Sequence, residues 1–252
     1  MLKFSACIEA IFQQEPFLER IDALAATGIR AFEFWRWQTK DLAGISARRE
    51  RYGLEVAAFI GGSGLTDPAR RSDFVRDIEA SLAVAQKLDC SRLIVTSGNA
   101  MPGMARETQH ENIVNCLLDA APLAESARIT LLLEPLNVLV DHPGNFLTTS
   151  AEALAIIREV GSPAVKLLYD IYHQQISEGN LTATIRANIG AIGHFHCADV
   201  PGRHEPGTGE INYVNILGQI AALGYQGYVG LEYFPLAPPL ETLRNLAALA
   251  SV

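Results

Sequence analysis

The sequence contains little cysteine, fewer basic than acidic residues, and no long apolar run. Its four cysteines lie far apart and form no CxxC pair: Cys7, Cys90, Cys116 and Cys197. In a chain of 252 residues, so few and so dispersed cysteines predict reduced, mostly buried thiols. This pattern argues against a fold held together by disulfides.

Basic residues are scarce, because 20 Lys and Arg stand against 28 Asp and Glu, which gives a net charge of −8. The isoelectric point is near 5.3. Proteins that bind a phosphate backbone need clustered Lys and Arg to displace counterions. The few basic clusters here, such as Arg48, Arg49 and Arg51, are typical of solvated helix faces. We therefore expect no nucleic-acid partner.

Long apolar segments are also missing, since no run reaches the ~18 residues of a membrane span. The first residues, MLKFSACIEAIFQQE, carry one lysine and an early acid, Glu9, and are a better first strand than signal peptide. No low-complexity segment and no linker rich in Ser, Gly or Pro divides the chain. We expect a cytoplasmic protein with no membrane partner and a single domain over residues 1–252.

Short runs rich in β-branched and aromatic residues recur along the chain, and each is followed by a helix-like segment. The runs cover residues 3–8, 31–35, 56–60, 92–98, 130–136, 165–170, 192–199 and 228–233. Most are apolar throughout, as expected of strands buried on both faces of a parallel sheet. Eight such units in about 250 residues predict an α/β protein built as a (β/α)8 TIM barrel. A doubly wound open sheet is the alternative, but the first predicted turn lacks its glycine-rich nucleotide-binding sequence.

The last four predicted strands each carry one oxygen or nitrogen ligand near the carboxyl end. These residues are Glu134, Asp170, His196 and Glu232. A buried acid is costly unless it is paired or bound to a metal, and barrel enzymes place their chemistry at this rim. Each acid alone could pair with an arginine or cap a helix, but too few basic residues lie nearby to pair with all of them. This carboxylate-rich set suits Mg²⁺ or Mn²⁺.

The stretch GHFHCADVPGRHEPGTGE runs from a buried strand into a polar loop. Cys197 should face away from His196 and belong to the core, because side chains alternate along a strand. His194 shares the face of His196 but lies deeper, which makes it a supporting or core residue. Arg203 could hold a substrate carboxylate with its planar guanidinium, or it could form a salt bridge to Glu205 or Glu210.

Several further residues lie next to the predicted site. His173 is three residues past Asp170, a spacing that returns to the same side, although a lone histidine there could also cap a helix. Trp35, at the end of the second strand, is a candidate for a pocket wall or for the core. Three residues that follow Glu134 could support the site: Asn137, Asp141 and His142.

Four segments together resemble the hydroxypyruvate isomerase family of the wider xylose-isomerase-like barrel superfamily, which also holds the ketose 3-epimerases. They are LLLEPLN, VKLLYDIYHQQISEGN, IGHFHCADVPGRHEPGTGEINY and GYQGYVGLEYFP. The similarity is specific from about residue 130 to 236 and weaker in the N-terminal half, where GIRAFEFWRW resembles the family's second strand.

The resemblance implies one divalent metal ion, Mn²⁺ or Mg²⁺, and no organic cofactor. The ligands would be Glu134, Asp170, His196 and Glu232, and the two glutamates would also be the catalytic proton-transfer pair. His173 would contact a substrate oxygen. The resemblance also implies a homo-oligomer that acts on a small hydroxy-carbonyl or sugar substrate.

One position departs from the family pattern. Hydroxypyruvate isomerases tend to carry Gln where this chain has His196, whereas ketose 3-epimerases carry His. The loop PGRHEPGTGEINY matches the isomerases. The expected function is interconversion of hydroxypyruvate and 2-hydroxy-3-oxopropanoate, or of a similar pair, through an enediolate. The alternatives are ketose 3-epimerisation, cleavage of abasic DNA, which the acidic charge disfavours, and sugar binding without turnover, which has no need of two bases.

Overall fold

Eight parallel strands close into a barrel in chain order in the computed structural model, which describes residues 1–249 and side chains to residue 246. The strands are β1 Lys3–Cys7, β2 Ala31–Phe34, β3 Glu55–Ser63, β4 Arg92–Thr96, β5 Thr130–Glu134, β6 Val165–Asp170, β7 Ile192–Cys197 and β8 Tyr228–Leu231. The predicted α/β (β/α)8 barrel and its single domain are confirmed. The last three residues of the predicted 1–252 range lie outside the described residues.

Helices connect successive strands on the outside of the barrel. They are α1 Ile8–Ile11, α2 Phe17–Ala25, α3 Leu42–Tyr52, α4 Arg71–Lys87, α5 Arg106–Ala127, α6 Ser150–Val160, α7 Ile171–Ser177, α8 Leu181–Asn188, α9 Tyr213–Ala222 and α10 Pro239–Leu249. Local sequence explains several of their ends. The Asp41 side chain accepts from the Gly44 amide at the start of α3, and Gly53, with a φ of 60°, ends that helix in the left-handed conformation. None of the described helices is long and apolar enough to cross a membrane.

Each predicted run overlaps one strand, and the differences lie at the ends. Strand β3 is longer than the predicted run, whereas β8 ends at Leu231, so that Glu232 follows the strand directly. All four cysteines are buried and free, as predicted. Parallel pairing brings the strand ends level: Thr96 pairs with Glu134, and Asp170 pairs with His196.

The interior of the barrel has two contrasting sides. An apolar half is formed by one residue from each of β3 to β6: Ala58, Ile94, Leu132 and Leu168. A polar half is formed by one residue from each of β1, β2, β7 and β8: Ser5, Glu33, His194 and Gly230. These four strands are contiguous because β8 pairs with β1. Side chains two residues further along each strand face the same interior, and these reach the carboxyl rim.

Candidate active site

The carboxyl ends of the last four strands bring together the four residues that the sequence analysis predicted as a group. Glu134, Asp170, His196 and Glu232 are all buried. Each offers one ligand atom, and these atoms lie within 4.8 Å of one another. They converge because their strands are adjacent and parallel, and because alternation along each strand directs these side chains toward the barrel interior at the rim.

A cavity of about 450 Å³ opens onto three of these residues: Glu134, His196 and Glu232. Its wall includes four apolar side chains, one on or directly after each of β2 to β5: Trp35, Ile60, Ile94 and Leu136. Trp35 is 36% exposed and lines the cavity, so its predicted place in a pocket wall is confirmed and its core alternative is wrong. His142 also lines the cavity, and its ring lies 5.3 Å from that of His173.

Glu232 is held on both carboxylate oxygens. Trp35 Nε1 donates to Oε1 at 2.8 Å, and Arg203 Nη2 donates to Oε2 at 2.6 Å. Burial alone would raise the pKa of Glu232, but the charges of Arg203 and His196 outweigh it and hold the pKa well below its usual range. Glu232 is therefore a fixed, charged carboxylate.

Glu134 has a different environment. Burial raises the pKa of Glu134 to about 7, and the charges of Glu232 and Asp170 add to the rise against the opposing effect of His196. Two carboxyl groups with such different proton affinities, facing one cavity, are typical of sites that move protons.

Asp170 and His173 are linked through the start of α7. Asp170 Oδ1 accepts from the backbone amides of Tyr172 and His173, at 2.8 and 3.2 Å. This cap explains the three-residue spacing seen in the sequence, since it turns the chain so that His173 Nε2 lies 3.5 Å from Asp170 Oδ2. The sequence alternative for His173, capping a helix, is not its role here, because Asp170 supplies the cap.

The protonation of His173 follows from Asn137. Asn137 Oδ1 accepts from the amides of Val140 and Asp141, at 2.9 and 3.2 Å, which orients its Nδ2 toward His173 Nδ1 at 2.7 Å. Nδ1 of His173 therefore accepts, and its proton is on Nε2. Burial lowers the pKa of His173 well below its usual value, with a further contribution from Arg203, so the ring is neutral. Its Nε2 has no hydrogen-bond partner within the described part of the chain.

Arg203 reaches the site from the loop after β7. It contacts Glu232 and, at 3.4 Å, Asp141 Oδ1. The salt bridge to Glu205 or Glu210 that the sequence left open is not formed in the described structure. The reason is the path of the loop, which places the guanidinium over the strand ends, away from its sequence neighbours.

Asp199 organises this loop. Its buried carboxylate accepts from the amides of Val200, Gly207 and Ile211, at 2.9, 2.8 and 3.1 Å. The Arg203 carbonyl then accepts from the Phe234 amide at 2.8 Å, which ties the loop to the segment after β8. The stretch of charges and glycines after the strand is thus a folded support for Arg203. The part played by Asp199 was not predicted from the sequence.

His196 uses its two ring nitrogens differently. Nε2 lies 2.9 Å from Glu33 Oε2. Nδ1 lies 3.3 Å from Glu232 Oε2, 3.6 Å from Glu134 Oε1 and 4.0 Å from Asp170 Oδ2. It is buried and makes no well-formed hydrogen bond to any residue that the structure describes. Burial by itself lowers the pKa of His196, but the charges of Glu33 and Glu232 outweigh it and raise the pKa well above the usual value.

A divalent cation fits this donor set. Three carboxylates and one imidazole nitrogen, all buried, surround one point, and Nδ1 of His196 has no hydrogen-bond partner among the described residues. Hard oxygen donors with one imidazole suit Mg²⁺ or Mn²⁺.

Glu33 was not among the residues predicted from the sequence. The signal for it was an acid inside the apolar run AFEFW, where alternation places Phe32 and Phe34 on one face and Glu33 on the other. Its partners, His194 and His196, are 161 and 163 residues away in the chain. His194 is fully buried, and its Nε2 lies 3.0 Å from Glu33 Oε1.

Comparisons with known proteins agree with this architecture. A family model described as a xylose isomerase-like TIM barrel matches residues 21–251. The 2-oxo-tetronate isomerase of Cupriavidus necator is 36% identical over 94% of this chain and 94% of its own length. The hydroxypyruvate isomerase of Escherichia coli is 35% identical over 93% of this chain and 94% of its own length.

A solved structure from Brucella melitensis, described as an AP endonuclease of family 2, is 31% identical to this chain. It superimposes with a TM-score of 0.93 and covers 98% of this chain and 99% of its own.

Proposed function

Since this chain belongs to the xylose isomerase-like TIM barrel family, and within it to the hydroxypyruvate isomerases, we propose that it interconverts a short 2-oxo acid and its hydroxy-aldehyde isomer. Hydroxypyruvate and 2-hydroxy-3-oxopropanoate are the first candidates. The observation that carries the proposal is the group of Glu134, Asp170, His196 and Glu232 at the cavity, with the guanidinium of Arg203 beside it. A four-carbon 2-oxo acid, whose carbonyl would move to C3 and give a 3-oxo acid, is the second candidate, because a relative of 36% identity is named for 2-oxo-tetronate.

The same four residues are the proposed ligands of one Mn²⁺ or Mg²⁺ ion. The ion would supply Lewis-acid stabilisation of the negative charge that develops on an enediolate. No organic cofactor is required, because the reaction moves only protons and leaves the total oxidation state of the substrate unchanged.

Glu134 and Glu232 are the proposed proton carriers. In the conversion of hydroxypyruvate, one glutamate removes a proton from C3, and the C2 carbonyl becomes part of the enediolate. The other glutamate returns a proton to C2, the hydroxyl proton passes from O3 to O2, and the carbonyl is then at C3. Trp35 and Arg203 orient Glu232 for this transfer through their contacts with its two oxygens.

His173 and Arg203 are the proposed substrate contacts. The Nε2–H of His173, fixed by Asn137 on the other side of the ring, can donate to a substrate oxygen. Arg203 keeps one buried donor, Nε, without a partner among the described residues, and its charge favours a carboxylate in the cavity.

Proton exchange in D₂O tests the proposal. The Mn²⁺-loaded protein is incubated separately with hydroxypyruvate, with 2-oxo-tetronate and with free ketoses, and NMR follows deuterium uptake and the position of the carbonyl. We expect the carbonyl of a 2-oxo acid to move with deuterium incorporation. Inversion at C3 of a ketose without carbonyl movement would instead establish ketose 3-epimerisation, which His196 favours. Binding of ligand without any exchange would establish a sugar-binding barrel.

Abasic DNA is a necessary control, given the description of the Brucella melitensis structure. With a net charge of −8, we expect no nicking of an abasic duplex in the presence of Mn²⁺ or Zn²⁺. Cleavage at a rate comparable to turnover of any 2-oxo acid would overturn the isomerase proposal.

A cytoplasmic homo-oligomer is also proposed. Its support is the set of buried free thiols and two exposed apolar side chains on the loops after β5 and β8, Leu139 at 76% and Leu236 at 66% exposure. Sedimentation velocity at micromolar concentration tests the assembly, and a clean monomer would contradict it.

A further inference from the structure

A buried carboxylate lies in the barrel interior beneath the proposed metal site. Glu33, on β2, is 2% exposed and sits between two histidines of β7. Its Oε1 is 3.0 Å from His194 Nε2, and its Oε2 is 2.9 Å from His196 Nε2. Each carboxylate oxygen therefore faces one imidazole, and only one of these imidazoles, that of His196, also reaches the group of proposed ligands.

This contact determines which nitrogen of His196 is available. An ionised carboxylate can only accept a hydrogen bond, so Nε2 of His196 carries a proton and donates it to Glu33. In the neutral ring, Nδ1 then has a free lone pair. Nδ1 is also the atom that faces Glu134, Asp170 and Glu232. Without Glu33, the neutral ring could equally carry its proton on Nδ1, which cannot then bind a cation.

The surrounding strands leave space for this arrangement. Ser5 Oγ on β1 donates to Glu33 Oε1. Gly230 on β8 has no side chain, and a Cβ there would lie 2.5 Å from Glu33 Oε1 and 2.6 Å from His196 Cδ2. Both distances are far below van der Waals contact, so any larger residue at position 230 would displace the carboxylate or the ring.

We infer that Glu33 is a positioning residue for the proposed metal site: it holds His196 in the tautomer and orientation that present Nδ1 to the cation. The inference rests on the proposed metal ligands and is independent of the substrate. Carboxylates that accept from a metal-bound histidine commonly strengthen metal binding by 10–100-fold. We expect Glu33 to act within this range.

Glu33, His194 and His196 also lie close enough together to hold an ion of their own. The hydrogen-bond pattern argues against this arrangement, because both carboxylate oxygens already accept from imidazole nitrogens and Oε1 accepts from Ser5 as well. The two cases differ in stoichiometry, since one ion per chain follows from a positioning role and two from a second site.

Titration of the metal-free protein with Mn²⁺ tests the inference, using calorimetry for affinity and metal analysis for stoichiometry. Glu33→Gln should weaken Mn²⁺ binding by about 10–100-fold at an unchanged one ion per chain. Nitrogen-15 NMR of the Mg²⁺-saturated proteins reports the tautomer directly. We expect the Mg²⁺-saturated original protein to carry the His196 proton on Nε2, and we expect Glu33→Gln to reach that state only at a higher Mg²⁺ concentration, because the ion alone must then select the tautomer.

Gly230→Ala should weaken Mn²⁺ binding in the same way, because its methyl group meets Glu33 and His196. Gly218→Ala is the matched control: it lies in α9, where an added Cβ meets nothing within 4 Å, and should bind Mn²⁺ normally. If Glu33→Gln does not fold, Glu33→Asp keeps the charge with a shorter reach and should show an intermediate loss of affinity.

Three results would overturn the inference. One is Mn²⁺ affinity of a folded Glu33→Gln protein within twofold of the original. Another is a second bound ion that the variant loses. The third is an original protein that binds no Mn²⁺, which would remove the proposed metal site as well. An inactive protein with normal Mn²⁺ binding would refute only the proposed reaction and leave the role of Glu33 intact.

Discussion

The two halves of the barrel interior are stabilised by different interactions. The apolar half packs Ala58, Ile94, Leu132 and Leu168 against one another, and nondirectional contacts of this kind tolerate replacements of similar volume. In the polar half, Glu33 has a specific partner on each oxygen, and a buried charge left without its partner is costly. Damage to the first half should therefore reduce stability alone, whereas damage to the second should also reduce metal binding and turnover.

The largest expected effect is on turnover, at the rim above the polar half. Glu232→Gln keeps an oxygen near the site but removes the base, so it should cut turnover by roughly 10²–10⁴. Glu134→Gln should have a similar effect, and the two losses should not multiply, because either change alone breaks the same proton relay. Rates are measured together with bound metal. A Glu232→Gln protein that retains its metal and exchanges substrate protons at the full rate would rule out the mechanism.

The next effect is on stability, in the apolar half. Leu132→Ala leaves a cavity in packed surroundings and should lower the free energy of unfolding by about 2–5 kcal/mol. Urea denaturation measures the loss, and Leu132→Met, which conserves volume, should cost less than about 1.5 kcal/mol. The Mn²⁺ affinity of folded Leu132→Ala should be normal. If the affinity fell as far as in Glu33→Gln, the two halves would not be functionally separate.

The two tryptophans allow a matched test of a single hydrogen bond. Trp35→Phe removes the donor to Glu232 and keeps most of the cavity wall, so it should reduce kcat by about tenfold, as a hydrogen bond to a charged group predicts. Trp37 donates to Ser81 at 2.9 Å, away from the cavity lining. Trp37→Phe should therefore leave kcat unchanged while lowering stability by about 1 kcal/mol. Equal effects of the two variants on kcat would contradict a positioning role for Trp35.

The smallest effect concerns a partly exposed ion pair between two helices outside the barrel, in contrast to the buried contacts of Glu33 inside it. Arg71 and Asp119 form a two-point contact between α4 and α5, and both side chains are 41% exposed. The hydrogen bond from Arg71 lowers the pKa of Asp119 below its ordinary value of 3.8. Solvent screening limits the stabilisation to about 0.2–1 kcal/mol.

The pH dependence of this pair follows from that direction. Because the folded pKa lies below the unfolded one, the stabilisation is present above about pH 4 and is lost as pH falls through the folded value. Arg71→Gln should thus have a lower urea midpoint than the original protein at pH 7, and the difference should shrink toward pH 3. If the difference in urea midpoint grew on acidification, the ion pair between Arg71 and Asp119 would not be the source of the stabilisation.

Much of the fold could be predicted from the sequence because each strand carries its own signal. The apolar runs at 130–136 and 165–170 correspond to β5 and β6, since strands buried on both faces must be apolar throughout. The strand ends carry a weaker signal. Strand β3 extends to Ser63, beyond the predicted end at residue 60, because pairing with β4 continues through Gly62 and Ser63, which carry no apolar signal.

The candidate site divides along the same line. Glu134, Asp170, His196 and Glu232 were predictable as a group, because parallel strands bring their carboxyl ends to one rim whatever the loops do. Glu33 and Asp199 are also acids next to apolar residues in the sequence. Their roles, however, depend on the residues that they contact in the folded protein. Glu33 contacts His196 on β7, which is distant in the sequence. Asp199 contacts backbone amides of a loop that has no regular periodicity.

The sequence by itself determined the alternation of strands and helices and the positions of the proposed ligands, because hydrophobic periodicity and strand-end chemistry are local properties. Closure of the barrel through the pairing of β1 with β8 decided the rest. Closure places Glu33 against His196, which selects the ring nitrogen that faces the carboxylates. The path of the loop after β7 places Arg203 against Glu232 and Asp141, away from its neighbours in the chain. These contacts join residues that are distant in sequence, and only three-dimensional packing specifies the hydrogen-bond partner of each buried charge.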